Sequence, residues 1–197
     1  MSDTQSKRRL ILSAAEHMLR ERRVHELTMD EVARGAGVSK GTIYRYFEDK
    51  DDLLFQLATD GFDQLCALVE TVPASGDFSD CLLSVCERIR KFFSERRSLV
   101  RMINEHEGRV GCFSGAMRER WLEHRMHLVR ALANLIRRGA REGGVRSDLS
   151  PEALAGLLLG MLRSQGRAQG RRPGTTLDLQ QVVDIFLRGV APLREGG

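Results

Sequence analysis

Helical periodicity along almost the whole chain is the feature that most restricts its fold. In the first segment, from about residue 6 to 22, apolar side chains recur three and four residues apart and form one stripe. This stripe consists of Leu10, Ile11, Ala14, Ala15, Met18 and Leu19. Sustained alternation of apolar and polar residues, which is typical of half-buried strands, does not occur. The sequence therefore predicts an all-α protein.

Caps, prolines and glycines divide the periodic pattern into about nine helical segments. Ser150 and Pro151, for example, form an N-cap followed by proline at the first helical position. The predicted helices cover about residues 6–22, 28–36, 39–47, 50–73, 77–96, 98–107, 116–142, 150–168 and 176–190. Short segments precede Lys50 and long ones follow it. This change predicts an N-terminal three-helix domain over residues 1–50 and a helical C-terminal domain over residues 51–197.

Composition excludes several classes of protein. The 197 residues are 42% hydrophobic and 29% charged, which suits a folded core and excludes global disorder. No apolar run approaches the ~18 residues of a membrane helix, so a soluble, cytoplasmic protein with no membrane contact is expected. The cysteines show no paired or zinc-finger spacing: Cys66, Cys81, Cys86 and Cys112. They are expected to be reduced and buried, with a redox-sensing pair as the alternative.

Residues 27–50 contain two short helices joined by a tight turn. Thr28 and Glu31 have the spacing of a capping box, which starts the first helix. Gly37 offers the left-handed conformation that a tight turn requires, and Ser39 then caps the second helix. Two short helices joined in this way form a helix-turn-helix.

The second helix of this motif is predicted to expose a cationic surface rich in hydroxyl groups. Ile43 and Phe47, four residues apart, hold the helix against its neighbour. No acidic residue occurs over residues 32–47. The residues left exposed are Lys40, Gly41, Thr42, Tyr44, Arg45 and Tyr46. Such groups suit DNA phosphates and base edges, whereas an ordinary solvated helix rarely exposes a tyrosine pair beside two cations.

The motif resembles the signature of the TetR (tetracycline-repressor-like) family of bacterial transcriptional regulators. The matching residues are AGVSKGTIYRYF at 36–47, Lys50, ILSAA at 11–15, and the Leu27-Thr28 pair. The resemblance implies an all-α homodimer whose N-terminal domain binds double-stranded DNA at a palindromic operator. It also implies a variable helical C-terminal domain that binds a small-molecule effector, which lowers the affinity for DNA.

The DNA contacts of the family fall on a compact set of residues in this chain. They are Thr28, Lys40, Gly41, Thr42, Tyr44, Arg45, Tyr46 and Lys50. Base-edge contacts are expected from Lys40, Thr42 and Arg45, and phosphate contacts from the two tyrosines, Thr28 and Lys50. The basic residues 7–9 are expected to precede the first helix, either as an arm on the DNA or as a solvated tail.

A dimer is required because one recognition helix reads only a few base pairs. The last two predicted helices carry apolar faces, and Gly156 and Gly160 allow a close backbone approach. The predicted interface residues are Leu154, Leu157, Leu158, Met161 and Leu162 on one helix, and Val183, Phe186 and Leu187 on the other. Internal packing is the alternative, while the resemblance favours a four-helix bundle between two copies.

An effector pocket is expected among the middle helices, within about residues 60–165. Its predicted lining is Phe62, Phe92, Phe93, Met102, Phe113, Met117, Trp121 and His124. An aromatic and methionine stripe of this kind also suits plain core packing. Trp121, as the only tryptophan, is the favoured member.

Neither a metal site nor a cofactor nor an enzyme activity is expected. Glu123, His124 and His127 share one predicted helix with His106 nearby in sequence, but histidines at this spacing are common by chance. No phosphate-binding loop, nucleophile elbow, zinc-protease or dinucleotide motif occurs. We therefore predict a TetR-like one-component transcriptional regulator. The family resemblance implies a repressor by default. The alternative is a helix-turn-helix protein that binds a protein partner and lacks operator specificity.

Overall fold

The structure is a computed structural model. The structure describes residues 3–72, 76–107, 115–168 and 177–192. Side chains are not described at residues 3–4, 103–107, 115–118 and 166–168. Among the residues singled out above, Phe113 and Cys112 lie outside the described residues, as do the side chains of His106 and Met117.

The described residues form nine α-helices, a 3₁₀ turn at Val24–Glu26 and no strand, which confirms the all-α prediction. The helices are α1 Asp3–Glu21, α2 Met29–Gly35, α3 Lys40–Tyr46, α4 Lys50–Glu70, α5 Phe78–Glu95, α6 Arg97–Glu107, α7 Gly115–Arg141, α8 Pro151–Ala168 and α9 Leu179–Gly189. Within the described part of the chain, no helix has the length and apolarity needed to cross a bilayer.

Helix starts follow the side chains that accept the first free backbone N–H groups. The last helix illustrates this, because it begins at Leu179, a few residues after the predicted start at about residue 176. Asp178 accepts a hydrogen bond from the backbone N–H of Gln181 at 2.8 Å, and the Gln181 side chain accepts one from the Asp178 N–H at 3.0 Å. This capping box stabilises the helix start at Asp178.

The chain forms two compact units, of which the first contains Met1–Phe62 and Arg96–Leu122. In this unit α1 packs on α2 and α6, and α2 packs on α3. The Arg101 guanidinium of α6 donates to the carbonyl oxygens of Leu19 and Arg22 at 2.6 and 3.2 Å. A cation at this position suits the negative end of the α1 dipole. The predicted domain division at residue 50 stays a prediction.

The basic residues near the N-terminus lie inside α1, which corrects the expectation that residues 7–9 precede the first helix. The Arg8 Nε atom donates to Gln56 Oε1 at 3.1 Å, and the Arg8 guanidinium lies 3.9 Å from the Asp60 carboxylate. Both partners belong to α4. The structure therefore shows neither a free arm nor a solvated tail at Arg8.

The second unit contains Asp63–Glu95 and Glu123–Gly197. Here α5 packs on α8 and α9, and these two helices pack on each other. The start of α5 lies close to the last turns of α7. A Cβ atom added at Gly139 would lie 2.6 Å from the Phe78 ring. Glycine is therefore the residue that lets this ring approach the α7 backbone.

Three of the four cysteines are described, and Cys66, Cys81 and Cys86 are buried and form no disulfide, as predicted. Burial raises the pKa of the Cys66 and Cys86 thiols to about 12. Because folding favours the neutral thiols, their contribution to stability is present at neutral pH. It is lost as the pH rises from the unfolded pKa of about 8.5 toward 12.

We expect these buried thiols to resist alkylation in the folded protein. A Cys112→Ser variant, labelled with a thiol reagent at pH 8, should react at least ~100-fold more slowly folded than in urea, because the thiolate is the nucleophile. Mass spectrometry of labelled peptides would assign each site. Rapid native labelling of Cys66 or Cys86 would contradict the burial described above.

Candidate nucleic-acid interface

The turn between α2 and α3 has the geometry of a helix-turn-helix. Gly37 adopts a φ of 66°, a left-handed conformation that favours glycine. The Val38 N–H then donates to the Ala33 carbonyl at 2.9 Å, which closes the end of α2. The Ser39 hydroxyl accepts a hydrogen bond from the Thr42 N–H at 3.1 Å and starts α3. The chain therefore reverses over a few residues, as the sequence predicts.

One face of α3 is buried and the other faces solvent. Ile43 and the following Phe47 are both buried. Of the predicted DNA contacts, Lys40, Gly41, Tyr44 and Arg45 are exposed, while Thr42 and Tyr46 are half-buried. A Tyr44 ring that is 46% exposed beside an exposed arginine presents groups suited to phosphates and base edges.

Arg45 and Tyr46 form a stacked pair on α3. The Arg45 guanidinium carbon lies 5.3 Å from the centroid of the Tyr46 ring. This distance suits a cation–π contact, which restricts the guanidinium without using its hydrogen-bond donors. Those donors remain available for the two acceptors of a guanine edge.

Lys40 is paired with an acid that the sequence argument missed. Its Nζ atom lies 3.0 Å from Asp30 Oδ2 on α2, and the Lys40 side chain is 67% exposed. The hydrogen bond to Asp30, together with the attraction between the charges, raises the pKa of Lys40 above its ordinary value. Asp30 lies just before the acid-free window of residues 32–47, so only the packing of α2 on α3 brings the two together.

Replacing Asp30 with asparagine is expected to tighten DNA binding roughly two- to tenfold at low salt, with a smaller gain at high salt. The change releases Lys40 and removes an anion from the cationic face. Fluorescence anisotropy with duplex DNA at two salt concentrations would measure it. Asp80→Asn, an exposed acid on α5, is the matched control. Equal gains for both variants would attribute the effect to net charge alone.

Thr28 and Lys50 have roles within the protein itself. The Thr28 hydroxyl caps α2 and donates to the Glu31 carboxylate at 2.7 Å. Together with the Arg22 guanidinium, this hydroxyl lowers the pKa of Glu31 below its ordinary value. The half-buried Lys50 donates from Nζ to the Leu27 carbonyl at 3.0 Å. Each residue therefore fixes the chain around α2, and their phosphate contacts stay predictions.

The predicted effector residues fall in both compact units, and their shared role stays a prediction. In the first unit, Trp121 is buried and its ring lies 5.2 Å from the ring of Phe62, with Phe55 at 6.4 Å. Met102 is also buried there. Phe55 was not predicted from the sequence, although its position on the apolar side of α4 could have identified it.

In the second unit, the rings of Phe92 and Phe93 lie 6.0 Å apart. His124 Nδ1 lies 2.8 Å from Asp63 Oδ1, which pairs α7 with α4. Among the residues that the structure describes, no group of three histidine, cysteine or acidic side chains is placed to hold a metal ion.

Most of the predicted dimer residues contribute to the core of the second unit. Five of them are buried where α5, α8 and α9 pack together: Leu154, Leu158, Leu162, Val183 and Phe186. Met161 and Leu187 are half-buried. The exposed side of the two helices carries one predicted residue, Leu157, which is 56% exposed, and Ile185, which was not predicted and is 49% exposed. Periodicity alone does not separate these two sides, since both are apolar.

A helix-turn-helix with an exposed cationic second helix defines a DNA-binding protein of the regulator class. Residues 11–57 match the family model described as bacterial regulatory proteins, tetR family. The repressor BepR of Brucella suis is 31% identical over 160 residues, which are 77% of this chain and 75% of that protein. The chain belongs to the TetR family of transcriptional regulators, which bind DNA and are not enzymes.

Solved structures of the family share the fold. A TetR-family transcriptional regulator of Mesorhizobium loti has a TM-score of 0.76 and 20% identity, with 96% of each chain covered. FadR of Bacillus subtilis, in complex with stearoyl-CoA, has a TM-score of 0.74 and 19% identity, with 92% of this chain and 98% of that chain covered. These similarities show that nearly the whole chain shares this fold.

Proposed function

We propose that this protein is a homodimeric repressor of the bacterial cytoplasm that binds a palindromic operator and is released by a small-molecule effector. The exposed face of α3, with Lys40, Tyr44 and Arg45, is the observation that carries the proposal. One such helix covers only a few base pairs, so specificity requires two copies. Their separation on DNA would match one helical turn, roughly 34–36 Å.

The exposed side of α8 and α9 supports the dimer. Leu157 and Ile185 are large apolar side chains that a monomer leaves in water. Cβ atoms added at Gly156 and Gly160 would meet nothing within 4 Å, so the backbone of α8 is open to a close neighbour. A second copy of the same face would cover these side chains and form a symmetric four-helix bundle.

Leu157→Glu is expected to convert the dimer into a monomer, because it places two charges at a symmetric apolar contact. Analytical ultracentrifugation at micromolar concentration would measure the change. Leu10→Glu is the matched control, since Leu10 is an exposed leucine on α1. A Leu157→Glu protein that remains dimeric would place the interface elsewhere.

Release by an effector requires that the ligand bind the DNA-free conformation more tightly than the DNA-bound one. FadR, which shares the fold, holds an organic ligand, and this supports a ligand role for the C-terminal helices here. Ligand binding would alter the separation of the two recognition helices, so that both half-sites no longer fit together.

Operator binding tests the proposal directly. The full-length protein would be mixed with the DNA upstream of its own coding sequence, with random-sequence competitor, at two salt concentrations. A complex of one dimer per palindrome that survives competitor is the expected result. Binding that competitor abolishes would contradict operator specificity and favour a helix-turn-helix protein that recognises a protein partner.

A further inference from the structure

Arg90 on α5 carries a buried polar atom to which the rest of the described fold offers no hydrogen-bond partner. Its side chain is half-buried, and its Nε atom is buried without a hydrogen-bond partner. Across the described ranges, no ion pair or hydrogen bond of Arg90 is seen. Two other arginines of this unit are paired, Arg137 with Glu152 and Arg146 with Asp148.

A guanidinium in this position is costly to the folded protein because it is always charged. A buried donor without an acceptor loses its hydration and gains no bond in return. Glu87 lies one turn before Arg90 on the same helix, but it is exposed and does not form an ion pair with it. A chain selected for stability alone would favour leucine or methionine here.

One side of α5 around Arg90 is apolar. Leu83 and Phe93 lie on the same side of the helix, about two turns before and one turn after it, and both are half-buried. Cys86, one turn before, is buried. Phe93 also contacts the ring of Phe92. This side of α5 therefore combines a buried donor that has no acceptor in the described structure, the Nε–H of Arg90, with half-buried apolar side chains.

Gln165 on α8 carries a second buried polar atom without a partner, the acceptor Oε1. The helices α5 and α8 contact each other, and both begin beside the last turns of α7, through Phe78 at Gly139 and Glu152 at Arg137. At 1.5 Å per residue, Arg90 and Gln165 lie about 18 and 21 Å along their own helices, each well past the helix start.

We propose that Arg90 binds the anionic group, carboxylate or phosphate, of an effector with an apolar body, with Gln165 accepting a hydrogen bond from a donor on the same molecule. The guanidinium fork fits two oxygens of either group. The stripe formed by Leu83 and Phe93 would contact the apolar body. This inference rests on the proposed function, because it names the class of the effector.

The test compares three probes of equal chain length on the full-length protein: octanoate, octyl phosphate and octanamide. Thermal unfolding would be followed for the wild type, Arg90→Met and Arg90→Lys. We expect at least one anionic probe to raise the Tm of the wild type, with a smaller shift or none from octanamide. Arg90→Met should lose that shift while its own Tm without probe equals or exceeds the wild-type value.

A second readout needs no variant. The Nε–H signal of Arg90 in nitrogen-15 spectra should move on titration with the anionic probe and stay in place with octanamide. Equal responses to the anionic and amide probes, or no response to octanoate and octyl phosphate, would overturn the inference. A Tm that falls markedly in Arg90→Met would also overturn it, because the residue would then have a structural role.

Operator binding without any probe separates this inference from the proposed function. Arg90→Met and the wild type should bind the operator with equal affinity, and octanoate or octyl phosphate should release only the wild type. If neither protein binds an operator, the proposed function fails. If both proteins bind the operator but the Arg90→Met substitution does not change the response to the anions, only the effector class is wrong.

Discussion

Arg45→Ala is expected to weaken specific operator binding by about 1–3 kcal/mol and to relax the preference at one base pair. Arg45 is exposed on α3, and its guanidinium rests on the Tyr46 ring with its donors free. Two parallel hydrogen bonds to a guanine edge would disappear in the variant. Titration of the operator and of single-base variants, by anisotropy or gel retardation, would measure the change.

Arg97→Ala is the matched control for this experiment. Arg97 is an exposed arginine at the start of α6, outside the helix-turn-helix, and its removal changes the net charge equally. If Arg45→Ala loses the same affinity for every DNA sequence, and if its binding depends less on salt, Arg45 contacts a phosphate instead. Equal behaviour of the two variants would remove Arg45 from the interface altogether.

Gly139→Ala is expected to destabilise the second unit by about 1–3 kcal/mol, as overpacking of a core does. Three atoms of the Phe78 ring would lie 2.6–2.8 Å from the new Cβ. The ring is rigid and buried, so moving it away disturbs the packing around it. The gain in helix propensity from alanine, up to about 1 kcal/mol, only partly offsets this clash. Urea unfolding followed by circular dichroism would measure the loss.

Gly61→Ala provides the contrast. Its Cβ would also lie 2.6 Å from a neighbour, but that neighbour is the Cδ2 methyl of Leu99, the end of a flexible side chain. We expect a loss below about 1 kcal/mol, because Leu99 can change rotamer. The fluorescence of Trp121, which lies in the same unit as Gly61, would measure this loss of stability during urea unfolding.

A double-mutant cycle with Phe78→Leu isolates the contact at Gly139. In the Phe78→Leu background, Gly139→Ala should cost markedly less than in the wild type, because the smaller side chain leaves room for the methyl group. Equal costs in both backgrounds would show that the clash with the Phe78 ring is not the cause of the destabilisation.

Local patterns were sufficient for the helix-turn-helix. The caps at Thr28 and Ser39 and the turn at Gly37 depend on residues within a few positions of one another, so a sequence displays them directly. The same holds for the exposed side of α3, since Ile43 and Phe47 identify its buried side by spacing alone.

Features that depend on packing between distant residues were missed or misplaced. The pairing of Lys40 with Asp30 joins two helices across the turn, and the pairing of Arg8 with Gln56 and Asp60 joins α1 to α4. Spacing along one helix carries no information about a charge on another.

The sequence by itself determined the all-α class, the positions of the helices and the exposed side of α3, because backbone hydrogen bonding and apolar periodicity are local. Only the tertiary structure decided which apolar residues of α8 face inward. Leu154 and Leu158 are buried while Leu157 is exposed, although all three are leucines on one helix. Only the tertiary structure shows, likewise, that the Nε atom of Arg90 is buried without a hydrogen-bond acceptor among the described residues. The reason is physical: burial and pairing are properties of neighbours in space, which residues far apart in the chain supply.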